Sequence, residues 1–254
     1  MSRSLVVEAH PAATVVLLRD AVHGCEALLV RRSPQLAFHG GAWAFPGGRI
    51  DPQDYVAPDS TDIVAAARNA AAREAREEAA VAIEPQALVP FSRWVTPEGL
   101  PKRFDAWFFA ARATTDNVRV DGGEIHEHRW LRPSHALAAQ NTREIELPPP
   151  TFVTLAGLAR FRTVAEALSV LAEQPFETFV PRLHIVPEGA CILYAGDVAY
   201  ESGTLDEPGG RHRLWMLNSG WRYERSAELE RAADVWASDL SGPPLSGFEA
   251  RPKR

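Results

Sequence analysis

Between Ala65 and Ala80 nine of sixteen residues are alanine. Alanine loses no side-chain entropy on entering a helix, so this stretch is predicted to be helical. Ser60 or Thr61 is expected to cap its start, and Pro85 limits how far it can run. The same stretch carries Arg73-Glu74-Ala75-Arg76-Glu77-Glu78. On a helix Glu74, Glu77 and Glu78 stand at i, i+3 and i+4 and share one face. Carboxylates this close repel one another and hold on to protons. A solvated acidic helix face would look similar in isolation. A divalent cation removes the repulsion, and hard oxygen donors suit magnesium or manganese.

The rest of the chain supplies strands. Ala13–Arg19 and Ala27–Arg32 are apolar runs separated by a turn and read as a hairpin. Gly40–Gly48 is glycine-rich and reads as a loop flanking a short strand. Asp51–Asp62 holds two prolines and four aspartates and reads as an exposed insertion. Phe91–Thr96, Arg103–Ala111 and His128–Leu131 are expected strands, and Pro133–Ala139 opens a helix. This order of elements predicts an α/β (α+β) sandwich with a mixed sheet. Pro148-Pro149-Pro150 is a stiff break. Beyond it, Thr151–Phe161 and Val164–Ala172 read as helices, and Leu183–Val186 with Ala190–Tyr194 as a hairpin. Two parts are therefore expected: residues 1–147 with the insertion at about 51–62, and a helical and hairpin extension, 148–254, packed on it. Residues after Asp206 give no clear pattern.

Bulk properties narrow the function. With 27 basic and 33 acidic residues the net charge is −6, which argues against a broad nucleic-acid surface. Cys25 and Cys191 are too few for a disulfide framework or a paired-cysteine zinc site, and point to a reducing compartment. Met1–His10 has no long apolar core, no run approaches a membrane span, and Arg251–Arg254 matches no targeting tripeptide. A cytoplasmic protein acting on a small molecule is the expectation.

The acidic helix has a companion upstream, Phe45-Pro46-Gly47-Gly48. Together they resemble the Nudix hydrolase family, whose signature is Gly-x5-Glu-x7-Arg-Glu-U-x-Glu-Glu-x-Gly-U, with U aliphatic. Gly48 fits the opening glycine, and Arg73, Glu74, Ala75, Glu77, Glu78 and Val81 fit the second half. The segment after Gly48 is eleven residues longer than the signature, the register position of its first glutamate is Ala65, and its late glycine is Ala80. The resemblance implies an α/β/α sandwich and a pyrophosphohydrolase in which Glu74, Glu77 and Glu78 bind Mg2+ or Mn2+. Arg73 would orient these carboxylates, and the Gly48 carbonyl is a further candidate ligand. A later acidic residue, Glu124 before Glu127, is the candidate base. Family members also suggest a homodimer.

Leu28-Leu29-Val30-Arg31-Arg32-Ser33, Gly41 and the Phe45–Gly48 loop resemble the motif of coenzyme A diphosphatases within this family. Val30 replaces its threonine and Ala37 its second arginine. Pro101–Asp105, Glu144–Pro150 and Gly196-Asp197 extend the likeness to a peroxisomal subgroup, Nudix motif 19. The implied reaction is hydrolysis of coenzyme A or acyl-coenzyme A. Ala37 keeps ADP-ribose and NADH open as alternative substrates, and the gap at Ala65 keeps open a non-catalytic nucleotide sensor. Candidate substrate-binding residues are Arg32, Gly47, Gly48 and Arg49. Lys102 and Arg103 are further cations for the 3′-phosphate, and Trp43, Trp94 and Trp107 could stack an adenine or fill the core.

Overall fold

The computed structural model describes residues 7–35, 40–120 and 122–226. The expected hairpin forms as β1 (His10–Ala21) and β2 (Gly24–Arg32), followed by the short strands β3 (Trp43–Ala44) and β4 (Gly47–Arg49). Then come a 3-10 turn at Pro52–Asp54 and the alanine-rich helix α1 (Ile63–Ala79). Strands β5 (Val89–Val95), β6 (Phe104–Arg112) and β7 (Ile125–Leu131) precede helices α2 (Pro133–Asn141), α3 (Pro149–Leu158) and α4 (Val164–Glu173). The chain continues as β8 (Glu177–Phe179), β9 (Arg182–Val186), β10 (Gly189–Leu193), β11 (His212–Leu217) and β12 (Gly220–Arg225).

The main sheet runs β3-β2-β1-β6-β5-β8, with β4 on β1 and β7 on β2. It is mixed: β1 runs parallel to β6 and β5 to β8, and the other pairs are antiparallel. Alternation along β1 and β2 sends side chains to two separate cores. Ala13, Val15, Leu17, Leu28 and Val30 pack under α1. Val16, Leu18, Ala27 and Leu29 pack with residues of α2, α3 and α4. The result is an α/β/α sandwich. The second sheet, β12-β11-β10-β9, adds Ile192 and Leu214 to the latter core. Its last two strands fall where the sequence shows no clear pattern. No helix among the described residues is long and apolar enough to cross a membrane.

Alanine does more in α1 than favour the helix. Ala66, Ala67, Ala70, Ala71 and Ala75 are buried, so the backbone approaches the sheet closely and sets the glutamates near it. The start is capped by Asp62, whose Oδ1 accepts from Ala65 N at 3.0 Å, not by Ser60 or Thr61. The end is Ala80 at φ 55, the left-handed conformation that explains a glycine at this point of the signature.

Candidate active site

Gly47 and Gly48 lie on β4, paired with Thr14 and Ala13 of β1, and face the C-terminal half of α1. Gly47 N donates to Glu78 Oε2 at 2.9 Å. A Cβ on Gly48 would run into the carboxylate of Glu74, and one on Gly47 would run into the backbone of Ala13 and Thr14. Both glycines therefore exist to bring backbone against backbone and against a glutamate.

Glu74 and Glu78 are buried, whereas the Glu77 side chain is 57% exposed. Burial pushes the Glu78 carboxyl up to about 8; the neighbouring charges of Glu74 and Glu124 add to this, while the Gly47 N–H and Arg32 oppose it. Glu74 is raised for the same first reason, with Arg73 opposing and Glu77 and Glu124 adding. The charge of Glu124 thus reaches both buried carboxylates. Arg32, at the end of β2, acts on Glu78 from the same side.

Arg73 organises the group. Its Nη1 donates to Glu74 Oε1 at 2.7 Å and to Glu77 Oε2 at 2.9 Å, and its Nη2 to the Arg49 carbonyl at 2.9 Å. The guanidinium is itself gripped by Asp54, with Nε to Oδ1 and Nη2 to Oδ2 both at 3.0 Å. Asp54 is 4% exposed and also accepts from Asp51 N at 2.8 Å.

This corrects two expectations. The stretch 51–62 is not wholly an exposed insertion, because Asp54 is one of its most buried members and ties it to α1. Nor is the first glutamate of the signature without an acidic counterpart, as its register position at Ala65 suggested. Asp54 follows Gly48 after five residues, as the signature requires, and eighteen residues rather than seven then separate it from Arg73. The extra length lies after Asp54. Sequence reasoning missed this residue by counting backward from Arg73; counting forward from Gly48 finds it.

Other candidates stand apart from this cluster. The Arg49 guanidinium turns to His10 Nδ1 at 3.2 Å. Arg103 is buried and donates to the carbonyls of Thr96 and Val7, a structural use. Lys102 lies over the Phe104 ring. Trp94 is core, stacked on Phe179 at 3.9 Å. Trp43 is buried beneath Arg129, and Trp107 is half-buried beside Phe176. Asp197, of the Gly196-Asp197 pair, is buried against Arg213. Ala37 lies outside the described residues.

Among the described residues no three acidic, histidine or cysteine side chains are already drawn together as a ligand set; Arg73 holds Glu74 and Glu77 in their present positions. The chemistry of the donors still fits a hard divalent cation. Two buried carboxylates with raised affinity for protons lie beside a glycine where a Cβ has no room. A cation would replace those protons.

The profile of the NUDIX domain family matches residues 8–149, more than half of the chain. The acyl-coenzyme A diphosphatase NUDT19 of Homo sapiens is 31% identical over 120 residues, covering 45% of this chain and 32% of that protein. NUDT19 of Xenopus laevis is 28% identical over 122 residues with the same coverage. The chain thus matches about a third of the length of these relatives. Among solved structures, a NUDIX hydrolase from Alicyclobacillus acidocaldarius superposes with a TM-score of 0.57 at 25% identity, covering 64% of this chain and 96% of that one.

Proposed function

The chain belongs to the NUDIX domain family, and from that premise we propose that it is a pyrophosphohydrolase that cleaves coenzyme A or acyl-coenzyme A to phosphopantetheine and adenosine 3′,5′-bisphosphate. The observation that carries the hydrolase reading is the set of Glu74, Glu77 and Glu78 around Arg73, facing Gly47 and Gly48. The coenzyme A reading is supported by the Leu28–Ser33 and Phe45–Gly48 motif and by the likeness to acyl-coenzyme A diphosphatases. The chemistry lies in residues 1–147, with 148–254 as an extension. The buried free thiols of Cys25 and Cys191 suit a reducing cytoplasm.

Glu74, Glu77 and Glu78, with the Gly48 carbonyl, would hold Mg2+ or Mn2+, which when bound neutralises phosphate charge and acidifies a water molecule. Arg73, fixed by Asp54, keeps Glu74 and Glu77 in place. The Gly47 N–H orients Glu78. Glu124 takes the proton of the attacking water as general base. The water oxygen bonds to one phosphorus of the diphosphate, the bridging P–O bond breaks, and the leaving phosphate carries off the electron pair. Arg32 binds the diphosphate oxygens; the Gly47 N–H, already donated to Glu78, does not take part.

The test is incubation with coenzyme A, ADP-ribose and NADH in magnesium, with products identified by mass. Adenosine 3′,5′-bisphosphate from coenzyme A is expected, and excess chelator should stop its formation. Turnover of ADP-ribose or NADH alone would replace the coenzyme A reading, and no turnover of any pyrophosphate would leave the nucleotide-sensor reading.

A further inference from the structure

Arg31 and Arg32 are consecutive at the end of β2 and serve opposite faces of the main sheet. Arg32 lies on the α1 face, where its charge reaches Glu78. Arg31 shares the other face with Trp43 and Arg129, because the ladders pair Arg31 with Trp43 and Leu29 with Arg129. On that face opens a cleft of about 490 Å³, whose walls include Arg31, Trp43, Arg129, Arg143, Glu144 and Glu146. Its size lies within the roughly 300–1,000 Å³ of small-molecule sites.

The three guanidiniums have partners that a stronger anion can displace. Arg31 meets Glu127 at 3.4 Å and Arg129 meets Glu144 at 3.1 Å, all four side chains being more than 40% exposed. Such exposed pairs contribute little. The Arg129 guanidinium also lies 4.7 Å over the Trp43 ring, which holds its plane. Arg143 has φ 61, a strained conformation for any residue with a Cβ. A glycine would close α2 there without strain, yet the position carries an arginine, which donates to the Asn218 carbonyl at 3.0 Å.

We propose that this cleft is an anion subsite for a phosphate monoester. It would take the phosphate of the substrate that is remote from the scissile diphosphate, the diphosphate itself lying across the end of β2 beside Arg32 and Glu78. The proposal rests on the hydrolase reading above for its substrate, but not for the binding itself. A phosphate dianion accepts two hydrogen bonds from each guanidinium fork and outbids a single carboxylate contact.

Two variants of the full chain test it. Arg129→Gln removes the cation held over Trp43. Arg143→Gly removes a cation and also relieves the strained backbone, so its effect cannot be laid to a misfolded α2. Adenosine 3′,5′-bisphosphate is titrated by calorimetry in excess chelator, with adenosine 5′-monophosphate as the probe lacking the second phosphate. Each variant should weaken bisphosphate binding about tenfold, a shift of roughly 1.4 kcal/mol, and should weaken monophosphate binding much less. The KM for coenzyme A should rise relative to that for 3′-dephospho-coenzyme A, with kcat maintained. Unchanged bisphosphate affinity in both variants, or equal loss on both probes, overturns the subsite. Coenzyme A turnover with an unaltered KM ratio in the variants refutes the subsite and leaves the hydrolase reading standing. Arginine-dependent bisphosphate binding by a protein that cleaves no pyrophosphate supports the subsite and refutes the hydrolase reading.

Discussion

Arg73 and Asp54 face each other through two parallel hydrogen bonds of 3.0 Å, so a residue just after the glycine loop holds the arginine that holds the helix glutamates. The geometry is bidentate and the carboxylate is buried. The pairing holds the Arg73 guanidinium well above its ordinary range, and the Asp54 hydrogen bonds are the largest cause.

Asp54→Ala should therefore disturb both stability and the site. Removing one partner of a buried pair costs about 3–5 kcal/mol. The Arg73 side chain is 18% exposed, so water compensates part of the loss and about 2–4 kcal/mol is expected. The melting temperature should fall by several degrees, and pyrophosphate hydrolysis should drop at least tenfold because Glu74 and Glu77 lose their anchor. Asp54→Glu, the residue type of the family signature, should retain more of both. Thermal melts and kcat/KM on coenzyme A check this; an alanine variant with wild-type rate and stability would disprove the positioning role.

The two glycines should separate in their effects. At Gly48 the obstacle to a Cβ is the far end of a flexible side chain, the Glu74 carboxylate; at Gly47 it is the backbone of Ala13 and Thr14. Gly48→Ala should keep the fold while displacing Glu74 and lowering the apparent affinity for magnesium. Gly47→Ala should force β4 from β1 and lower the melting temperature. Melting curves paired with metal titrations of activity distinguish them. The reverse pattern would mean that Glu74 cannot move.

Metal-free protein should lose stability as pH rises. Glu78 titrates at about 8 in the fold against an ordinary 4.5. Between those values the folded chain keeps a proton that the unfolded chain has released. Its contribution is fully present below about pH 4.5 and is lost as pH rises through about 8. Glu78→Gln stays neutral throughout, so in chelator its melting temperature should vary less than wild type between pH 6 and pH 9. The same variant should be nearly inactive with magnesium. A wild-type pH profile in Glu78→Gln would assign the slope to another group.

Much of this was legible in the sequence because two signals are local. The spacing of Glu74, Glu77 and Glu78 needs only helical geometry, and the β1–β2 hairpin needs only a turn between apolar runs. Asp54 was missed because its partner Arg73 is nineteen positions away, and a variable loop between them hides the register. Strands β3 and β4 are two and three residues long, too short to show a period. The tryptophans were ambiguous for a different reason. Stacking on a ligand and stacking on Phe179, as Trp94 does, demand the same residue type. Arg103 shows the same limit for cations, since its carbonyl partners, Thr96 and Val7, carry no sequence signature.

Arg32→Ala should slow hydrolysis of coenzyme A and of 3′-dephospho-coenzyme A by similar factors. The side chain stands on the α1 face, where its charge lowers the proton affinity of Glu78. Glu78 is proposed to hold the metal at the diphosphate, so Arg32 is placed to meet the phosphates common to both substrates. The 3′-phosphate is assigned to the opposite face, to Arg129 and Arg143. Losing a charge-assisted hydrogen bond costs on the order of 1.5–3 kcal/mol, or roughly tenfold to a hundredfold in kcat/KM. The sequence alone suggests a different outcome, because Arg32 occupies the arginine of the coenzyme A motif and would then read the 3′-phosphate. In that case the loss would fall on coenzyme A alone. A purely structural Arg32 would instead lower the melting temperature in step with the rates. Measuring kcat/KM on both substrates, with a melting curve for the variant, separates the three outcomes, and a loss confined to coenzyme A would move the 3′-phosphate to the α1 face.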